Sequence, residues 1–172
     1  MTQTASLYFN VSCTAIRAHD KNHMILGVRN AHAVPAAVIE AMVGWVDVVD
    51  QHCYEDGPPS NLEQIHNITG RPVMVGEFSF TAIDSNLPNT VGARRGNPYM
   101  TQRQRANQFQ SFVSTLMEIP YAIGFHWWQY NDEPSLGRWP DGEDSNYGIV
   151  SLSDEPYTAL VNQMTETNAA IP

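Results

Sequence analysis

Residues 70–78, GRPVMVGEF, set a Gly-Arg-Pro turn before a short apolar run that ends on a carboxylate, Glu77. A run this short, bounded by turn residues, reads as a strand covered on both faces. The same pattern, apolar and then polar, recurs at 23–30 (HMILGVRN), 46–54 (VDVVDQHCY) and 121–130 (YAIGFHWWQY). Helical patterns separate these runs. Residues 5–19 read as an amphipathic helix with Leu7, Ala15 and Ile16 toward the core. Pro35 suits a first helical turn, and Val38, Ile39, Met42 and Val43 follow at helical spacing. Asn61 is a candidate cap for LEQIHNIT, with Gly70 as its stop. Thr101 and Gln104 resemble a capping box ahead of the stripe Phe109, Phe112, Val113 and Leu116. A last helix is expected to open at 154–156 and run through Leu160, Val161 and Met164.

Strand and helix thus alternate four times, which calls for a parallel sheet with right-handed crossovers. A doubly wound sheet and a (β/α)8 barrel both satisfy the periodicity. No G-x-G-x-x-G follows any strand, so the dinucleotide-binding version lacks its main signature. The polar residues gather after strand C-termini, where barrel enzymes keep their sites, yet a full barrel takes about 250 residues. At 172 residues the chain holds four units of the eight. The expected fold is α/β, one half-barrel domain over 1–172, with a leading helix at 1–20 and four β/α units at 21–172.

Composition narrows the partners. Apolar residues make up 42% and charged residues 16%, a globular balance. Nine basic residues face eighteen acidic ones, only Lys21 is a lysine, and no basic stripe exists, so nucleic acid is a poor partner. No stretch approaches the roughly 20 apolar residues of a membrane-spanning helix. The opening MTQTASLYFN lacks a secretion-signal pattern, which makes the chain as given cytoplasmic but leaves the compartment open. Cys13 and Cys53 fit neither a metal spacing nor a disulfide framework and read as buried thiols. Asp141, Glu143, Asp144 and Asn146 lack the EF-hand spacing and read as loop hydrogen-bonding groups. No metal and no cofactor is called for.

The stretches HMILGVRN, VDVVDQHCYED, GRPVMVGEFSF and GFHWWQYNDEPSLGRWPDGEDSNYGIVSLSDEPY together resemble the C-terminal half of a retaining (β/α)8 glycoside hydrolase of the large clan. The likeness is nearest to its β-agarase and β-galactosidase-like members. The resemblance covers nearly the whole chain and implies a (β/α)4 half-barrel equivalent to strands 5 to 8. It also implies that Glu77 is the nucleophile, attacking the anomeric carbon to form a glycosyl-enzyme intermediate. The plainer reading of a strand-end Glu is a surface or salt-bridged group. By the same resemblance, Tyr54 hydrogen-bonds the nucleophile and tunes its ionisation, and His52 touches sugar. Both lie on one strand face, which equally suits an aromatic pair filling a barrel mouth. Asp50 shares that face and reads as a structural acceptor.

Trp127 and Trp128 point to opposite sides of their strand, so one can offer an indole face to a sugar ring while the other packs. The W-x-Y-x-D spacing through Trp128, Tyr130 and Asp132 resembles the strand-8 pattern of related clan members, and that resemblance implies Trp128 as the platform. His126 shares its face and is either a sugar contact or a satisfied core histidine. Arg29 and Asn30 end the first run and can bind sugar hydroxyls or hold carboxylates. Arg94, Arg95 and Asn97 read as exposed loop groups. Glu77, His52, Tyr54 and one of the tryptophans are expected to converge at one end of a four-stranded sheet.

Retaining hydrolysis needs a second carboxylate, about 5–5.5 Å from the nucleophile, as acid/base. In the resembling clan it belongs to an Asn-Glu pair ending strand 4, and this chain contains no Asn-Glu dipeptide. Whether the chain is an enzyme by itself is therefore open. Three functions compete: an enzyme remnant of little activity, a functional enzyme self-assembled from two copies that close a barrel, and a non-catalytic carbohydrate-binding module; a homodimer with weak or no hydrolysis is expected. The agarase resemblance implies a carbohydrate ligand of β-linked galactose type, although related patterns occur in galactosidases and mannanases. Parent enzymes of this kind are usually secreted or periplasmic.

Overall fold

A computed structural model describes residues 2–92 and 98–171. Arg94, Arg95 and Asn97 lie outside them. The elements run α1 (Thr2–His19), α2 (Ala36–Met42), β1 (Val49–His52), α3 (Leu62–Thr69), β2 (Val73–Phe78), α4 (Gln102–Met117), β3 (Ala122–Trp127) and α5 (Thr158–Ala169). The three strands form a parallel sheet in the order β1-β2-β3. The chain divides into two compact units, residues 1–53 with 59–76 and 119–125, and residues 54–58 with 77–118 and 126–172.

In the first unit the sheet and the segment leading into it are apolar and sealed: Val46 and Val48 before β1, Val49 on it, and Val73 and Val75 on β2 are at most 1% exposed. Ile39 and Met42 of α2 and Leu62 and Ile65 of α3 are equally buried. Gly70 ends α3 in the left-handed region at φ 63°, its N–H donating to the His66 carbonyl at 2.8 Å. Asn61 precedes α3 at φ −95°, ψ 3°, outside the extended conformation of a cap, and makes no capping bond; its amide donates to Gln51 Oε1 at 3.2 Å. His66 stacks on Tyr121 with ring centroids 4.3 Å apart.

Two sequence expectations are corrected in this unit. Residues 23–30 form no strand, so the described sheet has three strands and not four. The run meets β1 through one parallel bridge, Asn30 to Gln51. Gly27 interrupts it at φ +79°, and the Ile25 carbonyl accepts from both Asp47 and Val48, so no regular ladder forms. On α1, Phe9 and Cys13 face the core while Leu7 and Ile16 stay 64% and 45% exposed. Phe9 and Cys13 lie one turn apart on one face, and Leu7, two residues before Phe9, falls on the opposite side.

In the second unit, Thr101 accepts the Gln104 N–H and so caps α4, while Gln104 Oε1 accepts from the Met100 N–H at 2.9 Å. Phe109, Phe112, Val113 and Leu116 turn inward, and α4 packs on α5. Phe78, Phe80, Phe109, Phe112 and Trp127 form an aromatic core, with Phe78 stacked on Phe112 at 4.3 Å and edge-on to Trp127 at 5.4 Å. Arg105 is 0% exposed inside this core. Its guanidinium donates to the Phe80, Gly148 and Gln102 oxygens at 2.7, 2.8 and 3.0 Å and lies over the Trp127 and Tyr157 rings. Burial pulls its pKa down to about 10, opposed by nearby Asp132, which leaves it a cation at neutral pH. The last helix begins at Thr158 rather than at 154–156, because Asp154 sits at φ 59° and the chain turns there before it can coil.

Candidate functional site

Within the second unit, Tyr54 follows β1 and Glu77 is the penultimate residue of β2. The Tyr54 hydroxyl donates to Glu77 Oε1. Burial, then the Glu77 bond and its charge, push the Tyr54 hydroxyl pKa far upward, so the phenol stays protonated and remains a donor. A half-buried carboxylate thus has one oxygen held by a neutral O–H. The Tyr54 ring lies 6.2 Å from that of Tyr147, which is 1% exposed. Beyond Glu77, the buried Ser79 and Thr81 hydroxyls find no hydrogen-bond partner among the described residues.

The adjacent tryptophans have separate fates. The Trp127 ring is in the aromatic core, and its Nε1–H donates to the Tyr147 carbonyl at 2.9 Å. Trp128 donates its backbone N–H to the Phe78 carbonyl at 2.9 Å, and its half-buried ring lies 5.5 Å from the Arg138 guanidinium. His126 is exposed.

Arg138 is the centre of a charge cluster that the sequence reading missed. It pairs with Glu133, Asp141 and Glu143 at 2.7, 2.9 and 3.0 Å. Burial raises the Glu143 pKa against the pull of Arg138, and the negative charges of Asp141, Glu133 and Glu77 add to the rise. Burial likewise raises Glu133, opposed by Arg138 and Gln129. The one available signal was the spacing of Arg138 to Asp141, three residues inside a tight polar loop.

Further back, Asp132 is 5% exposed and accepts from Asn146 Nδ2 at 2.7 Å, the Gly148 N–H at 2.8 Å and the Tyr157 hydroxyl. Asp144 accepts from the Thr90 and Val91 N–H groups at 2.8 and 2.7 Å and from the Thr90 hydroxyl. Loop carboxylates 132 and 144 therefore tie the chain together through neutral donors. Among the described residues, no three His, Cys, Asp or Glu side chains are grouped to hold a metal ion.

The first unit carries the other candidates. His52 is 5% exposed, with Nε2 3.5 Å from Asp50 Oδ2. Asp50 Oδ1 accepts the Gly76 N–H at 2.9 Å, and a Cβ at position 76 would sit 2.0 Å from that oxygen. Glycine at 76 is what lets the carboxylate lie against the strand. Asn30 is buried, donating to the Asp50 carbonyl at 2.9 Å and accepting from the His52 N–H at 2.8 Å. Arg29 is exposed.

The chain is similar to two β-agarases of Vibrio sp. (strain JT0107). It is 35% identical to β-agarase A over 178 residues and 31% identical to β-agarase B over 169, covering 98% and 94% of this chain. It spans 17% of the length of each. Among solved structures it matches an exo-β-agarase with a TM-score of 0.89 at 31% identity, over 99% of this chain and 23% of that one. The agarase AgWH50C matches equally, TM-score 0.89 at 32% identity, over 99% and 24%. A β-glucuronidase from Dictyoglomus thermophilum shares the fold alone, TM-score 0.64 at 17% identity, over 97% and 29%. No protein-family model matches the chain. Its homologues are β-agarases, and the chain is a glycoside hydrolase-like domain.

Proposed function

We propose that the chain is the nucleophile-bearing half of a retaining (β/α)8 glycoside hydrolase acting on polysaccharides of β-linked galactose type. The observation that carries this reading is the Tyr54 hydrogen bond to Glu77 at the end of β2. Glu77 attacks the anomeric carbon, the glycosidic C–O bond breaks, and the sugar becomes esterified to the carboxylate. Tyr54, a neutral donor, holds Glu77 Oε1 in place and so orients the carboxylate for attack. Trp128 is the sugar platform in this reading, with Trp127 committed to packing. His126 and Arg29, both exposed, are sugar contacts in this reading, whereas His52 and Asn30 act around Asp50.

The leaving group needs a proton, and the chain has no Asn-Glu pair to give it. Natural polysaccharide is therefore cleaved weakly or not at all by the chain alone, while a donor with an acidic leaving group needs no such help. The test is a fluorinated β-galactosyl donor with a dinitrophenolate leaving group, followed by peptide mass analysis. A sugar adduct on Glu77, absent from Glu77→Gln, is expected. An unmodified Glu77 alongside tight sugar binding would favour the second reading, a non-catalytic carbohydrate-binding module.

Assembly belongs to the same proposal. A second copy packed against the open edge of the sheet would set two Glu77 carboxylates across one mouth, nearer the inverting separation of about 6.5–9.5 Å than the retaining one. A homodimer with impaired hydrolysis follows.

A further inference from the structure

The loop between β3 and α5 leaves two large apolar side chains in water: Leu136 is 99% exposed and Trp139 92%. The loop under them is stapled. Gly137 N–H donates to the Pro134 carbonyl at 2.8 Å, Arg138 N–H to Glu143 O at 2.9 Å and Gly142 N–H to Arg138 O at 2.7 Å. The Arg138 guanidinium then reaches Glu133, Asp141 and Glu143. Gly137, at φ +85°, permits the crossing, since a Cβ there would lie 2.7 Å from the Gly142 carbonyl. An indole on so braced a loop gives up little conformational freedom when something lands on it. The loop is also joined to the site: Arg138 lies over Trp128, Trp128 bonds the Phe78 carbonyl, and the charge of Glu77 is felt at Glu143.

Three carboxylates against one guanidinium disfavour an anionic partner. They suit a neutral polyol, whose C–H face lies on the indole and whose hydroxyls donate to the exposed Asp141. We infer that Trp139 is an outer platform for a neutral sugar unit of a polysaccharide whose reacting unit sits at Glu77. The inference rests on the carbohydrate reading above and adds a subsite remote from the reacting bond. Such a platform engages long chains and leaves a single sugar unheld.

The test is a titration of the full chain with an agarose-derived hexasaccharide, and with galactose as the short control, read on the tryptophan indole N–H resonances. Trp139→Phe identifies the Trp139 signal. The hexasaccharide is expected to shift that signal and galactose to leave it unmoved, and Trp139→Ala to weaken hexasaccharide affinity about five- to tenfold. Position 139 is in water, so the variant is expected to fold, and circular dichroism checks it. A Trp139 signal unmoved by hexasaccharide, or an affinity unchanged in Trp139→Ala, overturns the inference. Sugar labelling of Glu77 with an unmoved Trp139 removes this inference alone, while a shifted Trp139 with unlabelled Glu77 removes the nucleophile alone.

Discussion

The Tyr54 phenol is held neutral by burial and donates to the carboxylate of Glu77. Removing the donor with Tyr54→Phe deletes one hydrogen bond to a charged group, worth about 1.5–3 kcal/mol, or roughly 10–100-fold in rate. The rate of Glu77 labelling by the activated galactosyl donor is expected to change by that order, and an unchanged rate would detach Tyr54 from the chemistry. At Gly76 the constraint is steric, because a Cβ would overlap the Asp50 carboxylate 2.0 Å away. Gly76→Ala is expected to destabilise by about 1–3 kcal/mol, read as a lower denaturant midpoint. Tyr54 is legible in sequence as a polar residue closing an apolar run. The carboxylate lying against Gly76 is not, because Asp50 is 26 residues away along the chain.

Elements here are held by caps and by loop carboxylates. Thr101 caps α4, so Thr101→Ala should cost about 1 kcal/mol, and a midpoint shift in urea measures it. Between loops, burial acts to raise the Asp144 pKa, but bonds from the Thr90 hydroxyl and from the Val91 and Thr90 N–H groups outweigh it and leave the pKa lowered. A carboxyl with a depressed folded pKa stabilises the fold at pH above its unfolded value of 3.8 and loses that contribution as pH falls through the folded value. Amide exchange at Thr90 and Val91 should therefore accelerate in acid below 3.8. Asp144→Asn should flatten that response, and an equally steep acid response in the variant would show that another group is responsible. The α4 cap and the Gly70 stop were legible because they depend on residues within one turn. The Asn61 cap failed because the backbone there sits at φ −95°, ψ 3° rather than extended, while the side-chain amide bonds Gln51 of β1.

For the whole molecule, the exposed Leu7, Tyr8, Val11 and Ile16 on α1 form apolar surface that water does not favour. If a second copy covers it, sedimentation should report twice the 19.2 kDa of the single chain, and a stable folded monomer would end the dimer proposal. The sequence by itself determined β1, β2 and β3, the buried stripe of α4, and Glu77 and Tyr54 at strand ends. Those features follow from periods of 2 and 3.6 and from turn residues nearby, which act over a few positions. Tertiary structure alone decided that residues 23–30 make no strand, since an apolar run becomes one only when a neighbour completes its ladder. It alone chose the Phe9 and Cys13 face of α1, buried the Arg105 cation among aromatic rings, and gathered three carboxylates around Arg138. A buried charge persists only where distant carbonyls and rings converge on it, and composition and periodicity carry no record of which distant residues meet.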